Sequence, residues 1–277
     1  MSWQVASPII IVGTAFAFIG LEKLWPYDRG QKLFRRGFFV DLLGYGFFQS
    51  YVLGLAINGI IRGLCVVLGA PSGFAVVTGW PVLLQVFFFF VTHDFYIYCF
   101  HRLQHHSKYL WRTHEAHHSV PDVDWLAGTR SHALEILINQ TIEFAPIALL
   151  GAAPEVAIIK ATLDAVWGMY IHSNVGVRSG RLQYVINGPE MHRWHHAREL
   201  AERNRNFGTK LAIWDWIFKT AYLPPEKPRA YGLAGDEPYP EGFFGQQVAA
   251  FRPFAEANSP RPTVRDSDVR PPAAVAR

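Results

Sequence analysis

Twelve histidines lie between His93 and His196, and the 92 residues before them and the 81 after hold none. They form three clusters: His101 and His105 as H-x3-H with His106 adjacent, His114, His117 and His118 as H-x2-H-H, and His192, His195 and His196 as a second H-x2-H-H. His93, His132 and His172 stand alone. Imidazole nitrogens hold zinc, iron, copper or nickel, and helical residues three and four apart share a face. At about 100° per residue, the step of a 3.6-residue turn, His117 falls about 60° to one side of His114 and His118 about 40° to the other. The adjacent pair therefore brackets the first histidine and is able to address two centres. The clusters supply at least eight imidazoles, whereas one zinc takes four ligands, so the set fits two metals. Ligand type alone does not choose the element.

The stretch WRTHEAHHSV also permits a rival assignment. His114-Glu115-Ala116-His117-His118 satisfies H-E-x-x-H, in which His114 and His118 would hold zinc and Glu115 would activate water for an intramembrane protease. That assignment leaves His101, His105 and the second triplet without a purpose. A third reading, a non-catalytic metal-binding membrane protein, expects histidines spread along a path across the membrane, whereas these gather on one side. Asp94, seven residues before His101 and on nearly the same helical face, is placed to accept an imidazole N–H. Asn174, Asn206 and Asp215 either support the site or serve caps and turns, and His93 reads as a structural histidine.

The elements that position these residues are apolar. Half of the chain is hydrophobic and 17% is charged, against about 25% in ordinary globular proteins, a balance that marks a membrane protein. The net charge of +4 is small, and the basic residues form no stripe interleaved with exposed aromatics, so nucleic acid binding has no support. Cys65 and Cys99 lie in apolar runs without C-x-x-C spacing and read as buried small hydrophobes. Apolar segments run from about Pro8 to Leu21, a short one for a span, from Phe38 to Leu68 and from Trp80 to Phe100, the first flanked by Trp3 and Trp25 at belt positions. Lys23, Arg29, Lys32, Arg35 and Arg36 follow the first segment, and Arg102, Lys108 and Arg112 follow the third. The positive-inside rule puts both groups on the cytoplasmic side.

Two further stretches, Ala133 to Gly151 and Pro154 to Ile171, carry Glu135, Asn139, Gln140, Glu143, Lys160 and Asp164. That is too polar for lipid-facing helices and predicts a hairpin packed against the protein or entering the membrane only partly. The region from His172 to Phe218 is then cytoplasmic, with Trp214 and Trp216 of IWDWIF resting at the interface. The chain divides into a domain over residues 1–223, with a histidine-rich core at 93–218, and a Pro/Gly/Ala-rich tail over 224–277 whose end reads as disordered.

DFYIYCFHRLQHHSKYLWRTHEAHHS, RSHALE, YIHSN and MHRWHHARE followed by NFGTKLAIWDWIF resemble the fatty acid hydroxylase / sterol desaturase superfamily of membrane di-iron oxygenases, over about Asp94 to Leu223. The resemblance implies an all-α integral membrane bundle of about four membrane-embedded helices under a cytoplasmic histidine-rich helical cap. It implies two Fe ions and O2 as co-substrate, used to hydroxylate or desaturate a membrane lipid: a sterol, carotenoid, fatty acyl chain or ether lipid. By position it makes His101, His105, His114, His117, His118, His192, His195 and His196 ligands, with His106 as a substitute for His105. His172 matches a further family histidine in HSN, and His132 matches one in a segment where the family has proline and this chain has Ala133. Some members carry another histidine at the position of Gly168. No G-x-G-x-x-G opening a βαβ unit and no cysteine set for an iron–sulfur cluster is present. An external ferredoxin, cytochrome or reductase is therefore expected to supply electrons, docking near Arg102, Lys108, Arg112, Arg193 and Arg198. The Ala/Pro/Arg-rich tail favours a bacterial inner membrane over the endoplasmic reticulum.

Overall fold

The computed structural model describes residues 1–198, 204–235 and 238–253. Among them the secondary structure is helical: α1 (Trp3–Leu24), a π-helical stretch (Val40–Gln49) running directly into α2 (Ser50–Val67), α3 (Val82–His106), α4 (Lys108–His118), α5 (Ala133–Leu149), α6 (Pro154–His172), α7 (Pro189–His195), α8 (Ile213–Ile217) and α9 (Phe243–Ala249). Three of these helices are long and apolar enough to cross a membrane: α1, the continuous Val40–Val67 helix, and α3. Only 6% of the α1 window is buried within the protein, so its apolar surface faces outward, an arrangement that lipid tolerates and water does not. The protein is thus an all-helical membrane bundle with a histidine-rich cap. The first span is longer than its apolar core, because Trp3 to Ser7 wind into the same helix ahead of Pro8.

The α5–α6 hairpin sits among the spans, with α1 and α3 against α6 and α2 against α5. Its tight turn uses Gly151 at φ 73°, where a Cβ would meet the Ala75 backbone and Thr78 Oγ1, so only glycine fits without a shift. Apolar packing of Val86 and Phe89 on Ile147 and Val156 closes one end. Phe38, Trp125, Leu126 and Met169 close the other. The polar residues that set the hairpin apart in sequence point inward, where the walls of a cavity and a buried ion-pair cluster use them.

The cap is tied down by buried carboxylates. Asp94 accepts the backbone N–H groups of Lys210 (3.0 Å) and Leu211 (3.1 Å) and the indole N–H of Trp214 (2.8 Å). The two indoles are also held within the protein: Trp216 Nε1 donates to the Gln183 carbonyl at 2.8 Å, and the Trp214 ring lies tilted against Phe95, the centroids 4.8 Å apart. Cys65 is buried as expected, but Cys99 is exposed on the outward side of α3, because Asp94, Tyr98 and His101 occupy the inward face. Within the stretch read as a tail, α9 packs on the π-helical stretch through Phe243 and Tyr45, and Tyr45 donates to Gln246 at 2.7 Å. The segment expected to be disordered, residues 259–277, lies outside the described residues.

Candidate metal centre

A single residue, Ser107, separates α3 from α4, and its Oγ caps α4 by accepting the Leu110 N–H at 3.4 Å. The sharp turn folds the His101/His105 face onto the His114/His118 face. α7 enters from the far side behind Pro189 at its first position, where the missing N–H costs nothing. The ligand atoms of His101, His105, His114, His118 and His195 then lie within 4.8 Å of one another, and those of His117, His172, His192 and His196 do likewise. Nine of the twelve histidines thus form two adjacent groups.

The partition follows helical geometry. In α4 the i, i+4 pair His114/His118 joins the first group and the i+3 residue His117 joins the second. Along α7 and the residue after it the rule is mirrored: His192 and His196 join the second group and His195 the first. The pair about 40° apart shares a centre, and the residue about 60° away on the other side serves its neighbour.

Backbone and carboxylate oxygens orient the rings. Nδ1–H of His101 donates to the Phe207 carbonyl (2.8 Å), that of His117 to Arg130 (3.0 Å), that of His172 to Gly168 (2.8 Å) and that of His195 to Arg205 (2.8 Å). His114 Nδ1 is 3.1 Å from Glu135 Oε1, and His105 Nδ1 is 3.2 Å from Asn204 Oδ1. An acceptor at Nδ1 fixes that tautomer and leaves Nε2 as a bare lone pair facing the centre. The Arg130 carbonyl is itself held, since Arg130 Nε donates to Asp41 at 2.6 Å and Asp41 also pairs with Arg35 at 2.8 Å.

These residues fit metal ions. Nε2 atoms of His101 and His114 are 3.0 Å apart, and His192 Nε2 lies 2.9 Å from His172 Nε2 and 3.1 Å from His196 Nε2. Two nitrogens about 2.1 Å from one ion and at right angles to each other lie about 3.0 Å apart. His118 is 1% exposed, and neither of its ring nitrogens meets a hydrogen-bond partner. A cation removes both the lone-pair repulsion and the unsatisfied ring. Burial, and after it neighbouring imidazoles, push the pKa values of His117, His118, His196 and, with His172 foremost among its neighbours, His192 well below the usual range, so these rings are neutral ligands at neutral pH.

Three expected participants stand elsewhere. His132 belongs to neither group: its Nδ1 accepts the Leu134 N–H at 3.1 Å as the N-cap of α5, and Nε2–H donates to the Gln247 carbonyl at 2.9 Å. Asp94 touches no imidazole, since Phe207 takes the His101 N–H. It acts one step out, by holding the loop that carries Phe207. Asn174 pairs with Asp28, accepting its N–H at 2.9 Å. His105 and not His106 enters the first group; His106 bonds the Arg102 carbonyl on the surface. The residue that sequence reasoning missed is Glu135, one turn beyond His132 in RSHALE, where its spacing was the available signal. His93, Glu143 and Asp164 form a third cluster, but Lys160 Nζ already sits in it, 3.0 Å from His93 Nδ1, 2.8 Å from Asp164 and bonded to Glu143.

A cavity of about 250 Å³ lies against both groups, walled on one side by His101, His114, His117, His172 and His192. Gly168 also lines it and a Cβ there would meet nothing within 4 Å, so this glycine leaves open space.

Fold and site together define a helical membrane protein with two converging histidine groups beside an internal cavity. Residues 86–220 match the family model described as fatty acid hydroxylase. It is 36% identical over 173 residues to an ornithine lipid hydroxylase of Rhizobium tropici, covering 62% of this chain and 52% of the relative. To the human alkylglycerol monooxygenase it is 33% identical over 144 residues, covering 52% and 32%. A methylsterol monooxygenase of Arabidopsis thaliana is 28% identical over 188 residues, covering 65% and 66%. The chain thus spans about half of the first of these relatives and about a third of the second. No solved structure matches it.

Proposed function

We propose that the protein is an O2-dependent di-iron hydroxylase or desaturase of a membrane lipid. The observation that supports this most is the division of nine buried histidines into two groups that share one wall of an internal cavity. Names of the relatives point the same way, since each denotes a hydroxylase or monooxygenase of a lipid. The ligands are His101, His105, His114, His118 and His195 for one ion and His117, His172, His192 and His196 for the other. The unit that does this is residues 1–223, with its histidine groups on the cytoplasmic side of what we read as a bacterial inner membrane.

Iron held by these histidines would pass electrons from an external donor to O2 and supply the oxidising power that an unactivated C–H bond requires. The chain's own residues do the rest. Carbonyls of Phe207, Arg130, Gly168 and Arg205 hold the imidazoles in one tautomer. Glu135 adds a negative charge beside His114, making that ring a stronger donor. Ile97, Phe100, Ile136 and Ile171 form apolar walls that exclude water and press a lipid segment against the histidines.

Electrons come from an external ferredoxin, cytochrome or reductase. Lys108 is exposed, and Arg102, Arg112 and Arg198 are half-buried, leaving them able to meet an acidic partner. Arg193 is not: it is 1% exposed, stacked on Tyr27 and bonded to the Ser173 carbonyl.

The zinc-protease alternative uses His114 and His118, which do share a group, but Glu115 lies 3.5 Å from Arg112 and three more histidines complete the set. Protein purified from iron-replete cells tests the proposal. About two irons per chain, with O2-dependent oxidation of a membrane lipid extract given a ferredoxin and its reductase, is the expected result. One zinc per chain and no lipid product would end it.

A further inference from the structure

Between residues 42 and 92 the chain carries a single charged side chain, Arg62. It lies near the end of the continuous Val40–Val67 helix, about 7.5 Å of helix rise before Val67. That end is the one opposite the histidine groups. The segment that joins α2 to α3 bonds the turn of the α5–α6 hairpin, Phe74 N–H donating to the Leu149 carbonyl at 2.7 Å and Val77 N–H to that of Leu150 at 3.1 Å, while His101 and His105 sit at the other end of α3. Asn58, one turn before Arg62, shares its face of the helix. Both residues are exposed, and neither meets a hydrogen-bond or ion-pair partner among the described residues.

Asn58 and Arg62 line a groove of about 540 Å³ between α2, α5 and α6. Its walls are otherwise mostly apolar: Ile57 and Ile61 face Phe144, and Ala153, Ala157 and Ala161, spaced i, i+4 along α6, leave a trough. No carboxylate lines it. An unpaired guanidinium in a membrane helix calls for a counter-ion from outside the chain, and the trough beside it suits a hydrocarbon chain. A phospholipid brings both in one molecule. Its phosphate meets Arg62, whose long stem lets the head reach toward the near surface; the ester carbonyls fall one turn deeper, where the Asn58 amide donates; an acyl chain follows the alanines. A second copy of this chain is a poorer occupant, because a two-fold contact through this face would set guanidinium against guanidinium.

We propose that this groove is a binding site for an anionic phospholipid of the leaflet opposite the histidine groups, with Arg62 and Asn58 on the headgroup side and the α5–α6 trough on one acyl chain. The probes are dioleoyl phosphatidylglycerol and dioleoyl phosphatidylcholine, added to the full-length protein in detergent and followed by native mass spectrometry. The anionic lipid is expected to bind about fivefold more tightly, the factor that one basic residue near an anionic lipid surface is worth. Arg62→Gln should bring the two lipids to nearly equal affinity, and Arg62→Lys should keep the preference. Ala161→Leu, which fills the trough and leaves Arg62 in place, should weaken both lipids. Phosphatidylglycerol carrying a diazirine on one acyl chain should label residues 54–62, 140–148 and 154–161 on irradiation. Metal content and elution volume equal to the parent's show that each variant is folded. Equal affinity of the parent for both lipids, a preference unchanged in Arg62→Gln, or label placed mainly outside those three segments each overturns the proposal. A parent dimer that Ala161→Leu dissociates overturns it too and gives the groove to a second copy.

Discussion

His117 and His118 are neighbours in the chain and face different groups: His117 Nε2 lies 3.3 Å from His172 Nε2, while His118 gathers with His101, His105, His114 and His195. One short helix therefore serves both groups, and α7 does the same from the opposite side. Their separation is set by the rigid 3.6-residue repeat and not by a flexible loop.

Replacing His117 with Ala removes a ligand from the four-histidine group and none from the other. Metal content measured by mass spectrometry should fall from about two ions per chain toward one, with lipid oxidation lost. Glu115→Gln should keep both ions and most of the activity, since Glu115 lies against Arg112. Loss of nearly all activity in Glu115→Gln with His117→Ala unaffected would restore the protease assignment.

Gly128 packs against the ring of His172: a Cβ there would stand 2.7 Å from Nδ1 and 3.2 Å from the Gly168 carbonyl that the ring bonds. The ring is held at Nδ1 by the Gly168 carbonyl and, with Gly128 against it, has no room to swing. Gly128→Ala should weaken the second group selectively, lowering metal content much as His117→Ala does. Gly168→Ala, with open space at its Cβ, should instead keep both ions and raise the unfolding temperature slightly, by the roughly 1 kcal/mol that separates glycine from alanine inside a helix. Equal metal loss in both variants would contradict this.

The two histidine groups were legible because the imidazoles cluster within an apolar chain and because their i, i+3, i+4 spacing translates directly into directions around a helix. Even the capacity of His117 and His118 to address two centres follows from that angle. Which triplet member goes where did not follow, since it depends on how α4 and α7 cross, a tertiary property. Asp94 and His132 stand apart from both groups for different reasons: spacing put Asp94 on the face of His101, but Phe207 arrives from another element and takes that ring's N–H, while His132, which the resemblance alone suggested, is used as the cap of α5. The hairpin's polar residues marked it as unlike a lipid-facing helix, yet only packing shows that they line a cavity.

His132 and Glu135 separate capping from site support. His132→Ala removes the cap of α5 and should cost about 1 kcal/mol of stability while metal content stays at its parent level. Glu135→Ala takes away the carboxylate 3.1 Å from His114 Nδ1; outer-shell losses of this kind cost about 10–100-fold in metal affinity or activity. Competition with a chromogenic chelator reads the affinity directly. Weaker metal binding in His132→Ala than in Glu135→Ala would return His132 to the site.

Acid should act on the metal-free protein through the same rings. In the folded state His117, His118, His192 and His196 have pKa values well below the ordinary range because burial disfavours their charge; unfolded, they take up protons near pH ~6.5. Below that pH the unfolded chain binds more protons than the folded one, so stability falls as pH falls and is fully present above it. Unfolding midpoints of the metal-free protein in detergent, followed by fluorescence from pH ~8 to ~5, should therefore drop on the acid side. Removing His196 with Gln should flatten the curve by one proton's share. A midpoint that is level across this range, or that rises toward acid, would show that the rings are not held neutral in the folded protein.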